Sequence, residues 1–423
     1  MSQIAVIGAG YVGLTTAVCL AHVGHHVVCS DISESRVATL QRGEAPLTEQ
    51  DLTELLRSGV DGDRLSFTTD NKKAVEEAEF TFLCLPSPTT PSGGADTSYI
   101  EEAAREIGPH LLSESIVINK STVPVGSTHL VARALGRSDV VAVSNPEFLR
   151  EGSAVHDFLH PDRIVIGAED ESSAIKVSAL FLKIPAPLIV TDPATAETIK
   201  YASNAFLATK ISFANAVAAL CEAVGADVRQ VVLGMGYDSR IGPAFLKPGP
   251  GWGGSCLPKD AAALVHMADD AGYDFGLLKG AIAANEDQFR RVVEKAVRLA
   301  GGSVDGRRVA LWGLTFKART DDLRDSPALA VAARLTELGA SIRAYDPTVS
   351  RPLDGIEICG DPYSACEQAD VLVIATEWDE FRWLDFEKVG GLMGRQAIVD
   401  ARNLLEPAPL KRLGFEYTGI GCS

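Results

Sequence analysis

At 423 residues the chain is too long for one ordinary domain, and its 46% hydrophobic and 22% charged content is that of a core-forming globular protein. A net charge of −17 argues against nucleic acid or an anionic membrane surface as partner, while leaving room for a local Lys/Arg cluster around an anionic small molecule. The eight cysteines are scattered with no CxxC, the opening MSQIAVIGAGYVG lacks a basic n-region, and no uninterrupted apolar run is of membrane-spanning length, so a cytoplasmic protein with reduced thiols is expected.

The first thirty residues predict a βαβ unit. IAVIG is an apolar strand, GAGYVG (8–13) a tight turn, LTTAVCLAHVG a helix ending on Gly, and HVVCSD a second strand ending on Asp31. GxGxxG follows a strand, opens a helix and has its acid 18 residues past Gly13, which is the full context of a dinucleotide fingerprint. The glycines let backbone approach a pyrophosphate, and the helix N-terminus attracts its charge. Asp31 would accept from the adenosine ribose and repel a 2′-phosphate, favouring NAD over NADP, with Arg36 weakening that preference slightly.

EFTFLCLP, SIVINKS, VVAVSN and RIVIGA are further strands, so the first 190 or so residues predict one doubly wound sheet. STVPVGS (121–127) places hydroxyls at a strand end, where such sheets bind ligands. In SNPEFLREGS, Glu147 and Glu151 lie four apart and could share a site or line a solvated turn. His156 and His160 have metal-ligand spacing, but Pro161 follows and no third ligand is evident, so no metal is expected. Asp192-Pro193 is a cap followed by a helix start, and the pattern runs unbroken to near Gly225, long enough to tie two domains together or form a dimer seam. Lys200 and Asn204 lie on one face of it, which could be solvated instead.

GWGGSCLPKD (251–260) sets Cys256 among glycines, just ahead of a helix whose first turn holds Pro258, Lys259 and Asp260. Helix terminus and ammonium both favour the thiolate over a thiol of ordinary pKa, about 8.5; a small hydrophobe filling a tight turn is the plainer alternative. After a second helical region, RRVALWGLTFK, SPALAVAARLTELG and SIRAYD form another strand–turn–helix–strand without GxGxxG, so its ligand should differ. VLVIATEW and AIVDARN add strands, and the tryptophans and methionines form no helical stripe and read as packing. The fold class expected is α/β: two Rossmann-like doubly wound domains joined by a long central helix and a helical middle region, with a cleft between them. The boundaries are 1–190, 191–300 and 301–423.

GAGYVG, STVPVG, NPEFLREG, FLKPGPGWGGSCLPKD, FKARTDDLRDSP and DARN, in that order, resemble the UDP-glucose/GDP-mannose dehydrogenases over nearly the whole chain. RIGPAFLKPGPGWGGSC is most similar to the members that oxidise UDP-glucose. The resemblance implies NAD-dependent four-electron oxidation of a nucleotide sugar, with Cys256 as nucleophile. Lys200, Asn204 and Asp260 would surround the reacting carbon and its oxygen; Thr122 and Glu151 would hold or activate water, assisted by Glu147. It assigns NAD contacts to Gly8, Gly10, Val12, Gly13, Asp31, Arg36, Ser87, Thr122, Glu151, Lys259 and Arg324. The sugar nucleotide would lie against Phe148, Leu149, Arg150 and Glu151, with Lys200 and Asn204 beside it. It would also touch the loop of Phe245, Leu246, Lys247, Pro248 and Gly249, then Gly253, Lys317 and Arg402. Arg240 would reach a neighbouring subunit's substrate, implying a homodimer or larger assembly.

This chain departs from the family pattern at Ser87 (usually Thr), at Trp252 (usually Phe) and at LTEQDL (47–52), which lacks the Pro-Gly often found after that Glu. Trp252 would bear on loop packing against the nucleotide, and LTEQDL on its own local loop. Other nucleotide sugars, among them GDP-mannose and other UDP- or TDP-hexoses, remain alternatives. So does a non-catalytic nucleotide-sugar-binding protein, which would have had no need to keep Cys256, Lys200 and Asp260 together. A two-electron 3-hydroxyacid dehydrogenase shares GxGxxG and a long helix but has no use for a glycine-flanked Cys.

Overall fold

The computed structural model describes residues 1–90 and 93–422. The chain divides into two compact units, Met1–Ser203 with Ala262–Asp270, and Asn204–Ala261 with Ala271–Ser423.

Among the described residues the first unit carries eight strands: β1 (Gln3–Ile7), β2 (His26–Ser30), β3 (Leu65–Thr68), β4 (Phe80–Leu83), β5 (Ile116–Asn119), β6 (Val141–Ser144), β7 (Ile164–Gly167) and β8 (Leu188–Thr191). Their order is β3-β2-β1-β4-β5-β6-β7-β8. β4, β5 and β7 are buried along their whole length, which is why they read as continuous apolar runs rather than alternating ones: helices cover both faces. Leu14, Val18 and Leu20 of the helix Tyr11–His22 pack on one face, and Ile100, Ala104 and Ile107 of Ser98–Ile107 on the other. The doubly wound reading holds, with one departure: β6 and β7 meet antiparallel, at Ser144 and Gly167. LSFT (β3) and LIVT (β8) are strands that four-residue patterns did not announce. The chain winds outward in both directions from β1 and β4, and ligands of such sheets bind where those two strands end.

The second unit has six strands, all parallel: β9 (Arg308–Trp312), β10 (Ser341–Tyr345), β11 (Ile356–Ile358), β12 (Val371–Ile374), β13 (Ala397–Asp400) and β14 (Glu416–Gly419). The order β11-β10-β9-β12-β13-β14 repeats the doubly wound plan, with its switch point between β9 and β12. Trp312, ending β9, is wholly buried and donates Nε1–H to the Pro362 carbonyl at 3.0 Å. Trp383 is 84% exposed, so the reading of every tryptophan as packing fails there.

Between the two sheets in the chain runs the helix Pro193–Val224, whose 32 residues span about 48 Å. Asp192 caps it, accepting from Thr195 N at 2.9 Å. By length and composition this helix could cross a membrane. Within the two units, however, its Glu197, Lys200, Asn204, Asn215 and Glu222 are each hydrogen-bonded to other segments, which a lipid-facing helix would not provide. Val228–Gly236, Leu257–Asp270 and Gly276–Leu299 complete the helical middle. The whole is two Rossmann-like doubly wound domains joined by a long helix and a helical region.

Candidate active site

The turn after β1 is built by its glycines. Gly8 has φ +98°, and a side chain there would press on the Cys84 carbonyl; one at Gly13 would overlap the Gly8 carbonyl. Gly10 differs: it caps the helix Tyr11–His22, and nothing lies within 4 Å of where its Cβ would be. The open face beside backbone N–H groups, with Val12 in the first helical turn, is the cradle a pyrophosphate needs, so these residues fit a dinucleotide. Buried Asp31 directly follows β2, accepting from Ala9 N at 3.0 Å and Ser33 N at 2.9 Å, and pairs with Arg36 Nη1 at 2.9 Å. Past β4, Ser87 Oγ donates to the Thr122 carbonyl at 2.6 Å, tying two strand-end loops together.

The loop after β6 holds a buried ion pair. Glu147 Oε1 accepts from Lys200 Nζ at 2.8 Å, and its Oε2 from Leu149 N at 2.6 Å. Burial alone would raise the Glu147 carboxyl; the Lys200 ammonium, the Leu149 N–H and buried Lys120 outweigh it and hold the acid below its ordinary value. Phe148 lies under Arg163, whose guanidinium carbon is 3.6 Å from the ring centroid, with Lys200 Nζ at 5.4 Å. Arg150 is locked by Asp157 through its backbone N–H at 2.9 Å and its guanidinium at 2.5 Å. Glu151 follows in the same loop. A little further along the sheet edge, Glu197 of the long helix accepts from Gly126 N at 2.6 Å and Thr128 N at 2.8 Å, fixing the end of the STVPVGS segment.

In the second unit Cys256 immediately precedes the helix Leu257–Asp270, and its carbonyl accepts from Asp260 N at 2.9 Å, so it is the N-cap residue as the Pro-Lys-Asp sequence predicts. Its Sγ is 3.6 Å from Ser255 Oγ and is half-buried. Asp260 is fully buried between two donors: Asn204 Nδ2 at 2.6 Å and Lys259 Nζ at 2.8 Å. The glycines around Cys256 have no room for side chains. A Cβ at Gly253 would overlap the Asp325 carbonyl, and one at Gly254 (φ +85°) the Phe316 ring. The Trp252 indole in this loop is buried and donates to Ser212 Oγ at 2.8 Å.

Several expected sugar-nucleotide contacts gather in this unit. Gly249 is held by Asn215 through its N–H and by Gln288 through its carbonyl, and its Cα faces Arg402. Arg402 binds the carbonyls of Ala375 and Phe316, each at 2.8 Å, and Glu377 at 2.9 Å. Lys317 follows Phe316, with its Nζ 5.7 Å from that ring. Leu246 and Pro248 are buried, Phe245 and Lys247 exposed. Arg324 pairs with Asp322 at 2.7 Å and Arg240 with Asp238 at 2.6 Å, both largely in solvent.

The candidate residues thus fall into two sets. Thr122, Glu147 to Glu151, Lys200 and the turn 8–13 with Asp31, Arg36 and Ser87 belong to the first unit. Asn204, Arg240, Phe245 to Gly249, Gly253, Cys256, Lys259, Asp260, Lys317, Arg324 and Arg402 belong to the second. The sequence reading missed Lys120, Glu197, Asn215 and Glu49, whose partners are remote in sequence. The His156 and His160 rings lie 5.1 Å apart, and among the described residues no group of three or more His, Cys, Asp or Glu could hold a metal ion.

Comparison with known proteins agrees with this distribution of motifs. Descriptions of the UDP-glucose/GDP-mannose dehydrogenase family match as its NAD binding domain over residues 2–185, its central domain over 194–287 and its UDP binding domain over 310–407. The chain is 44% identical to UDP-glucose 6-dehydrogenase of Rhizobium meliloti, covering 99% of each, and 43% identical to UDP-glucose 6-dehydrogenase TuaD of Bacillus subtilis, covering all of this chain and 93% of that one. A solved UDP-glucose dehydrogenase from Pyrobaculum islandicum superposes with a TM-score of 0.91 at 36% identity, covering 100% of this chain and 98% of that one. With all three domain descriptions matched in order and full-length relatives at this identity, the chain belongs to the UDP-glucose/GDP-mannose dehydrogenase family.

Proposed function

We propose that this protein oxidises UDP-glucose at C6 to UDP-glucuronate through a covalent intermediate on Cys256. The observation that carries the reading is Cys256 at the cap of the helix Leu257–Asp270, flanked by glycines that admit no side chain and followed by the Lys259–Asp260–Asn204 cluster. The region 1–190 is the NAD-binding domain, 191–300 the central dimerisation region and 301–423 the UDP-sugar-binding domain. Gly8, Gly10, Val12, Gly13, Asp31, Arg36, Ser87, Thr122, Glu151, Lys259 and Arg324 contact the dinucleotide. Phe148 to Glu151, Phe245 to Gly249, Gly253, Lys317 and Arg402 hold the sugar nucleotide, and Arg240 extends to a second copy's substrate.

Bound NAD+ supplies the hydride acceptor, once for the alcohol and once for the thiohemiacetal. Asp260 orders the base or water that takes the C6 hydroxyl proton as the aldehyde forms. The Cys256 thiolate, favoured by the helix N-terminus and the Lys259 ammonium, adds to the aldehyde carbon. Lys200 and Asn204, one helical turn apart on one face, donate to the oxyanion of that tetrahedral centre. Loss of its hydride and proton leaves a thioester on Sγ. Glu151, with Thr122, directs water onto the thioester carbon, and the C–S bond breaks to return the thiolate and release the acid. One UDP-glucose, two NAD+ and one water become UDP-glucuronate, two NADH and three protons. The assembly is a homodimer or larger in the cytoplasm, with no nucleic-acid or membrane partner.

Cys256→Ser is expected to lose about a thousandfold or more of UDP-glucose-dependent NADH production while binding NAD+ within about twofold of the parent. Wild-type turnover by that variant contradicts the covalent reading. A panel of nucleotide sugars run alongside fixes the substrate, with UDP-glucose expected to give the highest kcat/KM.

A further inference from the structure

Each sheet has an acid directly after the strand beside its first one, and the two acids sit in the same backbone frame. In the first unit Gly8 N donates to the Ser30 carbonyl at 2.8 Å, Ala9 N to Asp31 Oδ2 at 3.0 Å and Ser33 N to Asp31 Oδ1 at 2.9 Å. In the second, Gly313 N donates to the Tyr345 carbonyl at 2.8 Å, Leu314 N to Asp346 Oδ2 at 2.8 Å and Thr348 N to Asp346 Oδ1 at 3.0 Å. Both glycines have positive φ, +98° and +87°. The surroundings then part. Asp31 takes Arg36, whose side chain is 43% exposed. Asp346, at 3% exposure, takes donors from the protein interior instead. Its Oδ2 accepts from Thr315 N at 3.2 Å, Thr315 Oγ1 at 3.1 Å and Trp378 Nε1 at 3.1 Å, and its Oδ1 from Thr348 Oγ1 at 2.8 Å.

We infer that Asp346 is a positioning residue for the sugar nucleotide, tying together the two strand-end segments that hold Arg402. The inference rests on the reading above that Arg402 and Lys317 contact that ligand. One segment follows β9: Asp346 takes the N–H groups of Leu314 and Thr315, and the next carbonyl, that of Phe316, accepts from Arg402 Nη2 at 2.8 Å. The other follows β12: Ala375 and Glu377 bind the same guanidinium, and Trp378, next in the chain, donates to Asp346. Thr376 Oγ1 joins the segments a second time, donating to the Thr315 carbonyl at 2.6 Å. Asp346 touches neither the ligand nor Arg402; it sets where the Phe316 and Ala375 carbonyls and Lys317 stand. An asparagine at 346 would turn an NH2 group toward N–H or O–H donors on one side, leaving at least two of them without their acceptor. The second sheet thus keeps the acid of the first and spends it on its own backbone.

The test uses the full-length protein carrying Asp346→Asn, with Thr315→Val and Thr315→Ser as a matched pair. The readouts are kcat, KM for UDP-glucose and for NAD+, and affinity for UDP by calorimetry, which needs no turnover. A positioning role predicts that Asp346→Asn raises KM for UDP-glucose and weakens UDP about tenfold, with kcat and KM for NAD+ within about twofold. Thr315→Val should move the same two quantities in the same direction by less, and Thr315→Ser, which keeps the hydroxyl, should restore them. Folded Asp346→Asn that binds UDP as the parent does overturns the inference. So does a fall in kcat with UDP affinity unchanged, which would leave Asp346 a group that only maintains the fold. If Asp346→Asn does not fold, Trp378→Phe takes its place by removing one donor, and parental UDP affinity in both Trp378→Phe and Thr315→Val overturns the inference. Parent protein that binds no UDP, or Arg402→Ala that binds it as tightly as the parent, fails the underlying reading of the site. Weakened Arg402→Ala beside an unaffected Asp346→Asn fails only this inference.

Discussion

Glu147 and Lys200 show how a buried charge is made tolerable and then useful. Lys200 is 3% exposed and Glu147 6%, and an isolated charge at either place would be expelled or neutralised. Paired at 2.8 Å, the Lys200 ammonium favours the ionised Glu147 carboxylate, which is held to its loop by the Leu149 N–H. Glu147→Gln breaks the pair and leaves a buried ammonium, a change that typically costs about 3–5 kcal/mol. The pH dependence has a definite sign. Because the folded carboxyl lies below its ordinary value of 4.5, the stabilisation is complete above that pH and is lost as pH falls through the depressed value. The gap in melting temperature between parent and Glu147→Gln should therefore be full at neutrality and begin to close only as pH falls below about 4.5; a gap that stays constant through the acid range contradicts this. Four apart in NPEFLREG, the two glutamates were recognisable as candidates, but only the fold assigns one to Lys200. Glu49 was not recognisable, since the N–H groups it binds lie 103 and 105 residues away.

Among the elements, the helix Pro193–Val224 carries two jobs on different faces. Lys200, Asn204 and Ser212 are buried, whereas Phe206, Phe213 and Leu220 recur every seven residues and are 66%, 53% and 59% exposed. Apolar residues at that spacing form one exposed stripe, the kind of surface that marks contact with another molecule. A second copy of the same chain is the occupant that fits the homodimer proposed above. Phe213→Asp with Leu220→Asp should therefore shift the mass measured by light scattering toward that of a single chain. An unchanged assembly would place the interface elsewhere. Both ends of this helix were legible because Asp192-Pro193 starts it and Gly225 follows it. The strands β3, β8 and β11 were not, since three or four residues give too few alternations to separate a strand from a loop. The antiparallel meeting of β6 and β7 was equally hidden, because strand direction is set by the path of the connecting loop rather than by the strand's own residues.

Over the whole molecule, this NAD-dependent nucleotide-sugar dehydrogenase repeats one winding in two sheets. The first has the glycine turn and Asp31 at its switch point; the second has in that place the longer segment from Gly313 to Ser326, whose Phe316 carbonyl accepts from Arg402. Both sheets were foreseeable from the equal spacing of Gly24 to Asp31 and Gly339 to Asp346. The side-chain network around each was less so, because Asn204–Asp260 and Lys200–Glu147 join residues more than fifty positions apart. In the proposed mechanism Cys256 carries one sugar through both oxidations. This is tested most directly by counting NADH formed per UDP-glucose consumed with the purified protein and excess NAD+. Two NADH per sugar, with no free aldehyde, is the predicted result; one NADH per sugar, with the aldehyde released, would contradict it.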